Sequence, residues 1–342
     1  MDIKEAIAKV TSLQDLSTVE MIAVMNDIMS GKTSDAQNAG FLVGLQMKGA
    51  KAFEILGGAT VMRELATPVL VVDKSFLVDT CGTGGSGSNT FNVSTAAAIV
   101  ASAAGAKVAK HGNRGATSKS GSADVLEAAG VNLGLSADGV ARCIEEIGVG
   151  FMFAPAHHSA MKHVITARKE IGVRTVFNLL GPLTNPAAAP NQVMGVYDAG
   201  LIPVLLEVLK SLDSKHVLIV AAEDGLDEIS VAAPTTVGEL KDGVITHYHV
   251  NPSDFGLDMY ADYNSLQINS AEESLAMLKS ALSNTNKAAA DIVALNAGAA
   301  IYVAGKATSL AHGVEKAKAI LVAGEALVKL EKLVALSNSL AT

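Results

Sequence analysis

The sequence predicts an α/β protein in which a small N-terminal helical domain precedes a larger domain with a mostly parallel central sheet. Two observations lead to this prediction. The first 67 residues carry helix signals only, and from Val69 onward strand-like apolar runs alternate with glycine-rich loops and helical stretches. That alternation is typical of a parallel sheet covered by helices. The length of 342 residues agrees with about two domains.

The N-terminal helices are predicted from capping patterns followed by apolar periodicity. Ser17 to Glu20 forms a capping box before an apolar face that ends at Gly31, and Ser34 is suited to cap the next helix. Helices are predicted over residues 18–30, 35–47 and 50–65.

In the rest of the chain, apolar runs and helical periodicity mark the elements. Strands are predicted at residues 76–78, 107–109, 192–196, 216–221, 235–240 and 244–250. Helices are predicted at residues 93–104, 122–129, 202–212, 271–281, 288–303 and 310–332. We assign to the helical domain residues 1–68 with a turn-rich returning segment around 170–188, and to the α/β domain residues 69–169 and 189–342.

A stretch without acidic residues indicates where an anion binds. Between Cys81 and Ala123 there is no Asp or Glu, although the chain as a whole has a net charge of −8. The cations of this stretch are Lys107, Lys110, Arg114 and Lys119. A local positive excess in an acidic chain favours a discrete anionic ligand over nucleic acid, which usually requires a basic face.

Two glycine-rich loops bracket this stretch, Gly82–Thr90 and His111–Gly115, and each lies between a predicted strand and a predicted helix. Successive parallel strands place such loops at the same edge of a sheet. Glycine loops that open onto helix N-termini are suited to bind phosphate, and we expect Ser94 and Thr95 to cap the first helix or donate their hydroxyls.

Other phosphate motifs fit less well. The dinucleotide-binding pattern is matched by Gly82, Gly84 and Gly87. A nicotinamide site, however, needs an acidic residue at the end of the next strand to bind the ribose, and this chain has Lys110 there. No P-loop motif occurs.

Composition indicates the compartment. The first residues are charged and lack a signal-peptide layout, no long apolar run predicts a membrane span, and Cys81 and Cys143 are too few for a disulfide framework. We therefore expect a cytoplasmic protein that binds neither membranes nor nucleic acid.

An acidic segment, Glu223–Glu228, follows the predicted strand at 216–221. It is either a simple Asp-Gly turn or a metal site. A parallel strand would bring its carboxylates to the edge that carries the glycine loops, where Mg²⁺ takes a few protein oxygens and the rest from water and phosphate. Asp227 and Glu228 are therefore candidate Mg²⁺ ligands, with the Ser94 hydroxyl as a third.

Arg168 is a candidate for binding a carboxylate, because a guanidinium captures that planar group with two hydrogen bonds. An ordinary surface charge on a helix is an equal alternative. The nearby His157, His158 and His163 lack a complete zinc ligand set, so a zinc site is not favoured.

Seven motifs in this order resemble the anthranilate phosphoribosyltransferase family over most of the chain. They are Gly82–Gly85, Asn92–Thr95, Lys110–Arg114, Ser118–Gly121, His158–Lys162, Gly181–Pro186 and Asp224–Glu228. The resemblance implies a helical domain joined to an α/β domain, and transfer of phosphoribose from 5-phosphoribosyl 1-pyrophosphate to the amine of anthranilate in tryptophan biosynthesis. It also implies Mg²⁺, two ions per monomer, and a homodimer formed through the helical domain.

The resemblance assigns site residues position by position. Phosphoribosyl pyrophosphate would be held by Gly82, Gly85, Ser86, Thr90, Asn92, Val93, Ser94, Thr95, Lys110, His111, Gly112, Asn113, Arg114, Gly115, Ala116, Thr117, Ser118 and Ser122. Anthranilate would meet Gly82, His111, Asn113, Arg168 and Pro182, and the metal would meet Ser94, Asp227 and Glu228.

One position departs from the family pattern, which usually carries Asp where this chain has Ser86. The missing acid would lie near metal and pyrophosphate, so we expect a changed response to Mg²⁺. Two alternatives are a pyrimidine nucleoside phosphorylase and a transferase-like protein that binds nucleic acid. Pyrimidine nucleoside phosphorylases lack the Lys110–Arg114 motif that this chain has. The net charge of −8 disfavours a protein that binds nucleic acid.

Overall fold

The computed structural model describes residues 1–115 and 118–340. Four helices open the chain: α1 Ile3–Thr11, α2 Thr18–Met29, α3 Asp35–Lys48 and α4 Ala52–Leu65. The side chains of Asp2, Ser17 and Ser34 cap the first three by accepting backbone N–H groups. The prediction missed α1, although its capping box of Asp2 and Glu5 was a usable signal.

Seven strands form one sheet in the spatial order β3-β2-β1-β4-β5-β6-β7. They are β1 Leu77–Gly82, β2 Lys107–Gly112, β3 Val149–Phe153, β4 Asn191–Gly195, β5 His216–Ala222, β6 Thr235–Lys241 and β7 Val244–Val250. The first five are parallel and the last two antiparallel. The predicted fold class, a helical domain followed by a mostly parallel α/β domain, is confirmed.

The remaining helices connect and cover the strands. They are α5 Val93–Ala103, α6 Ser122–Ala128, α7 Ala137–Ile147, α8 Ala154–His157, α9 Ile165–Ile171, α10 Val176–Leu180, α11 Ile202–Ser211, α12 Ala271–Leu282, α13 Lys287–Val303, α14 Leu310–Ala323 and α15 Glu325–Ser339. None of the described helices has both the length and the apolar composition needed to cross a bilayer.

Three predicted boundaries are wrong. Strand β2 continues to Gly112, because its last residues pair with β3, which the prediction missed. Strand β1 likewise begins at Leu77 and continues to Gly82 along β4. The helix predicted over residues 310–332 is two helices, α14 and α15, separated by Gly324 in a left-handed conformation with φ of 73°.

Both faces of the sheet are buried, as the alternation along β5 illustrates. Val217 and Ile219 belong to the apolar core shared with α1–α4 and α11, whereas Leu218 and Val220 belong to the core shared with α5 and α13–α15. The period of two is that of a strand covered on both sides.

The segment from α8 to the end of α10 packs against the N-terminal helices. Val164 and Phe177 lie in the same apolar core as α2–α4. The Asn38 side chain donates to the His163 carbonyl at 3.1 Å, and the Arg63 guanidinium donates to the Leu183 carbonyl at 2.7 Å. This packing brings α9 and α10 over the carboxyl ends of the strands, where the candidate site lies.

Candidate active site

Glycines end the three strands that carry the candidate loops: Gly82 in β1, Gly112 in β2 and Gly195 in β4. The parallel pairing of these strands brings their carboxyl ends to one edge of the sheet, as the sequence predicted. A Cβ atom added to Gly112 would lie 2.0 Å from Ser122 Oγ, so the start of α6 presses directly on the end of β2. The two loops therefore share one site.

The first loop presents free backbone donors. Gly84, Gly85 and Gly87 have positive φ, and within the described chain the N–H groups of residues 84–87 have no hydrogen-bond partner. The Ser86 hydroxyl hydrogen bonds with that of Ser88 at 3.1 Å. Ser88 in turn lies 3.4 Å from the Thr90 hydroxyl. Such a concave run of unpaired N–H groups is suited to an anion.

The second loop is joined to the first by hydrogen bonds. Asn92 donates to the Ser120 carbonyl at 3.1 Å and accepts from the Ser120 hydroxyl at 2.9 Å. The Ser118 hydroxyl donates to the same carbonyl at 3.2 Å, and the Ser122 hydroxyl donates to the Asn113 carbonyl at 3.4 Å. The predicted site residues Ala116 and Thr117 lie outside the described residues.

Two residues of the second loop are already bonded to carboxylates. The Gly115 N–H donates to Asp124 at 2.9 Å, so this backbone donor is not free for phosphate. The Arg114 guanidinium pairs with Asp124 at 3.0 Å and with Glu127 at 2.6 Å. A simple phosphate-binding loop would leave both groups unpaired, whereas here carboxylates of the protein already bind them.

The start of α5 holds a buried ammonium group. Lys110 is 3% exposed, and its Nζ donates to the Thr80 carbonyl at 2.6 Å and to the Ser94 hydroxyl at 3.3 Å. Burial lowers the pKa of Lys110, whereas the nearby Asp79 carboxylate opposes that change. Asn92 precedes the helix, but neither Ser94 nor Thr95 caps it through a side chain, so the capping expectation is wrong. Val93 is buried in the core.

The acidic segment reaches the first loop. A Cβ atom added to Gly82 would lie 2.8 Å from Asp227 Oδ2. Burial raises the pKa of Glu228 to about 8, the Asp227 charge adds to the shift, and Lys110 opposes it. Over residues 1–115 and 118–340, no three His, Cys, Asp or Glu side chains form a complete metal site. A metal held here would need ligands from a substrate.

A cavity of about 460 Å³ opens beside Gly82, between the sheet edge and α8–α10. All five candidates for the second substrate line it: Gly82, His111, Asn113, Arg168 and Pro182. The prediction missed further lining residues that come from distant segments: Met62, Cys81, Thr83, Pro155, Lys162, Ile165, Phe177 and Asn178. Thr83 lies in the motif Gly82–Gly85, and Lys162 lies with the lining residue His158 in the motif His158–Lys162, so these three had a local signal.

Arg168 supplies a guanidinium to this cavity, which Lys162 also lines. Its guanidinium lies 5.2 Å from the centroid of the Phe177 ring, and burial lowers the pKa of the group. Among the described residues no carboxylate lies within 4.0 Å of the Arg168 guanidinium, so it forms no ion pair there. The cavity thus offers one guanidinium against a largely apolar wall.

His111 and His158 form a neutral pair in the same cavity. Their ring centroids lie 5.1 Å apart, and neither Nε2 atom has a hydrogen-bond partner among the described residues. Burial lowers the pKa of His111 to about 3 and that of His158 to about 4, and the neighbouring histidines add to both shifts. Both rings are therefore neutral at pH 7.

Comparison with known families agrees with this architecture. Residues 4–66 match the helical bundle domain of a glycosyl transferase family, and residues 74–327 match its a/b domain. A two-domain glycosyl transferase is therefore the class that the fold and the site define.

Curated relatives narrow the class. A protein of Hydrogenovibrio crunogenus named anthranilate phosphoribosyltransferase is 54% identical over 341 residues, with 100% of both chains covered. One of Hahella chejuensis with the same name is 58% identical over 341 residues, with 98% of both covered. The chain belongs to the anthranilate phosphoribosyltransferase family.

Solved structures agree. The Thermus thermophilus anthranilate phosphoribosyltransferase superposes with a TM-score of 0.91 at 43% identity, covering 97% of this chain and 99% of that one. The Saccharomyces cerevisiae enzyme in complex with PRPP and Mg superposes with a TM-score of 0.90 at 28% identity, covering 98% of both.

The neutral histidine pair predicts part of the acid sensitivity of the fold. A histidine whose pKa falls on folding stabilises the protein above its unfolded pKa, 6.5, and this contribution is lost as the pH drops towards the folded value. Replacing His158 by Gln should therefore reduce the loss of unfolding free energy between pH 7 and pH 5 by about 1 to 2 kcal/mol. Denaturant titrations at both pH values measure this loss.

The exposed His247 supplies the matched control. His247→Gln should leave the pH dependence unchanged. An equal pH dependence in wild type and His158→Gln would show that His158 titrates normally.

Proposed function

We propose that this chain transfers the phosphoribosyl group of 5-phosphoribosyl 1-pyrophosphate to the amine of anthranilate, a step of tryptophan biosynthesis. The products are N-(5-phosphoribosyl)anthranilate and pyrophosphate. The single observation that carries the proposal is an unpaired guanidinium, Arg168, in an aromatic-lined cavity that opens onto a loop of free N–H groups. An aromatic carboxylate and a pyrophosphate are the ligands that these two neighbouring features fit.

The phosphoribosyl pyrophosphate is proposed to lie across both loops. The first loop contributes the free N–H groups around Gly85 and the hydroxyls of Ser86 and Thr90, and Asn92 joins this loop to the second. Buried Lys110 supplies a fixed positive charge beside the Ser94 hydroxyl. Gly82, His111, Gly112, Asn113 and Ser122 border the junction between the two loops.

The residues present fit Mg²⁺, which is bound together with PRPP in the structure of the yeast relative. The Asp227 carboxylate points to Gly82, and Glu228 is a partly buried carboxyl with no cation bonded to it among the described residues. A hard cation that keeps most of its ligands from water and phosphate suits this small set of oxygens. We propose that Asp227, Glu228 and the Ser94 hydroxyl hold Mg²⁺, with two ions per monomer. When bound, Mg²⁺ would neutralise charge on the pyrophosphate.

The chain's own residues account for the rest of the mechanism. Arg168 orients anthranilate through its carboxylate, with the ring against Phe177. The amine nitrogen attacks the ribose carbon with its lone pair, and once the new N–C bond forms it gives up one proton, which the departing pyrophosphate accepts. The neutral His111 ring lines the same cavity. As the bond from that carbon to pyrophosphate breaks, Lys110 and the loop N–H groups stabilise the charge on the departing oxygens. Catalysis is then mainly orientation and electrostatic stabilisation, with no strong base.

The decisive measurement is the loss of anthranilate fluorescence on mixing with phosphoribosyl pyrophosphate and Mg²⁺. Arg168→Ala should raise the KM for anthranilate about tenfold or more, because a charge-assisted bond to the carboxylate is lost. Glu228→Gln should lower kcat by about ten- to a hundredfold, as expected for a disturbed metal site. Lys169→Ala, which removes an exposed charge one residue along α9, should match wild type.

No loss of fluorescence at any Mg²⁺ concentration would overturn the proposed function. Near-normal constants for both Arg168→Ala and Glu228→Gln would overturn the roles assigned to these residues.

Ser86 stands where the family pattern carries Asp, in a chain of hydroxyls rather than beside a carboxylate. We propose that this lowers the affinity of the loop for surplus Mg²⁺. Ser86→Asp should therefore show stronger inhibition at high Mg²⁺ in a titration of turnover, whereas Ser86→Ala serves as the neutral control. An unchanged Mg²⁺ profile in Ser86→Asp would refute this role.

We also propose that the chain forms a homodimer through the helical domain. Val19 and Met47 of this domain are 76% and 78% exposed, and Phe53 is 41% exposed. Apolar side chains of this size on one small helical unit favour a protein contact. Light scattering should give twice the chain mass and Met47→Glu should weaken the dimer, whereas a single-chain mass for the wild type would contradict it.

A further inference from the structure

Arg174, in the connection between α9 and α10, reaches across to the first glycine loop. Its Nη2 donates a hydrogen bond to the Gly85 carbonyl. The contact is close, because a Cβ atom added to Gly85 would lie 2.9 Å from Arg174 Nε. Gly85 also has a φ of 81°, a backbone conformation that favours glycine at this position.

Within residues 1–115 and 118–340, Arg174 makes the one hydrogen bond from outside the loop to its middle. Its ends are fixed, since the Thr83 N–H donates to the Gly195 carbonyl at 2.9 Å and Gln267 donates to the Ser88 carbonyl at 3.0 Å. Between these anchors, Arg174 is the only described residue outside the loop that hydrogen bonds to residues 84–87. The free N–H groups expected to meet pyrophosphate belong to this stretch.

The arginine is itself held by an aromatic ring. Its guanidinium carbon lies 3.9 Å from the centroid of the Tyr197 ring, just beyond the end of β4. Among the described residues, Arg174 has no carboxylate within 4.0 Å. Stacking on an aromatic face orients a guanidinium without neutralising it. Arg174 therefore keeps a full positive charge beside the loop.

The position of Arg174 in the chain connects the two substrate sites. It follows α9, which carries Arg168, and precedes α10, which carries Phe177. We propose that Arg174 is a positioning residue that fixes the middle of the glycine loop to the anthranilate-binding segment. The inference rests on the proposed function, and it predicts that loss of this tie impairs the binding of both substrates.

Arg174→Ala tests the inference by kinetics and by hydrogen exchange. We expect the KM for phosphoribosyl pyrophosphate to rise about tenfold, which is typical of a lost charge-assisted hydrogen bond, and the KM for anthranilate to rise severalfold. Amide exchange should also accelerate at the hydrogen-bonded N–H groups on either side of the loop, those of Thr83 and Phe91, because the stretch between them loses its tie to Arg174. Arg174→Lys keeps the charge and should recover part of both effects.

Tyr197→Leu provides a second route if Arg174→Ala does not fold. It should cause a smaller change in the same direction, whereas Tyr197→Phe keeps the aromatic face and should match wild type. Lys169→Ala is the control for loss of a charge from the same segment.

Unchanged exchange of the Thr83 and Phe91 amides in Arg174→Ala would overturn the inference. So would a rise in KM for one substrate only, or KM values for both substrates within twofold of wild type. A wild-type chain without turnover would instead overturn the proposed function, and the exchange measurement would still report on the tie.

Discussion

The architecture of the site depends on a close approach at the carboxyl ends of β1 and β4. A Cβ atom added to Gly195 would lie 1.6 Å from the Asp227 carbonyl oxygen, and one added to Gly82 would lie 2.8 Å from Asp227 Oδ2. No side chain fits at Gly195, and one at Gly82 would displace the Asp227 carboxylate. Because both strands end in glycine, the acidic segment after β5 lies directly on the sheet edge, and its carboxylates reach the loop that Gly82 begins.

This approach places opposite charges in a buried region. Burial lowers the pKa of Lys110 and raises those of Asp79 and Glu228, so each group alone would tend to lose its charge. The ammonium opposes the shifts of both carboxyls, and Asp79 also accepts the His111 N–H at 3.2 Å. An ammonium has three donors, and Lys110 gives hydrogen bonds to two neutral oxygens, those of Thr80 and Ser94. These two hydrogen bonds therefore fix the start of α5 against β1 and β2.

Local patterns predicted the parts of the site that depend on local chemistry. Gly82–Thr90 and Asp227 with Glu228 were found because glycine loops and carboxylates after strands are recognisable one segment at a time, and parallel pairing then brings them to one edge. Contacts between distant segments left no such signal. Arg174 is 89 residues from Gly85, and Phe177 and Met62 reach the cavity from segments that only the packing brings together. The prediction also ended β2 too early, because the length of that strand is set by its pairing with β3.

The two loops differ in what they offer an anion. The first has free N–H groups, whereas in the second Asp124 accepts from the Gly115 and Gly121 N–H groups at 2.9 and 2.8 Å and so determines the loop's shape. Arg114 and Glu127 are about half exposed, at 47% and 53%, and an ion pair so well solvated contributes little to stability. Arg114 can therefore exchange Glu127 for a phosphate at small cost while Asp124 holds the backbone. Under the proposed function, anion binding would depend on the backbone in the first loop and on side chains in the second.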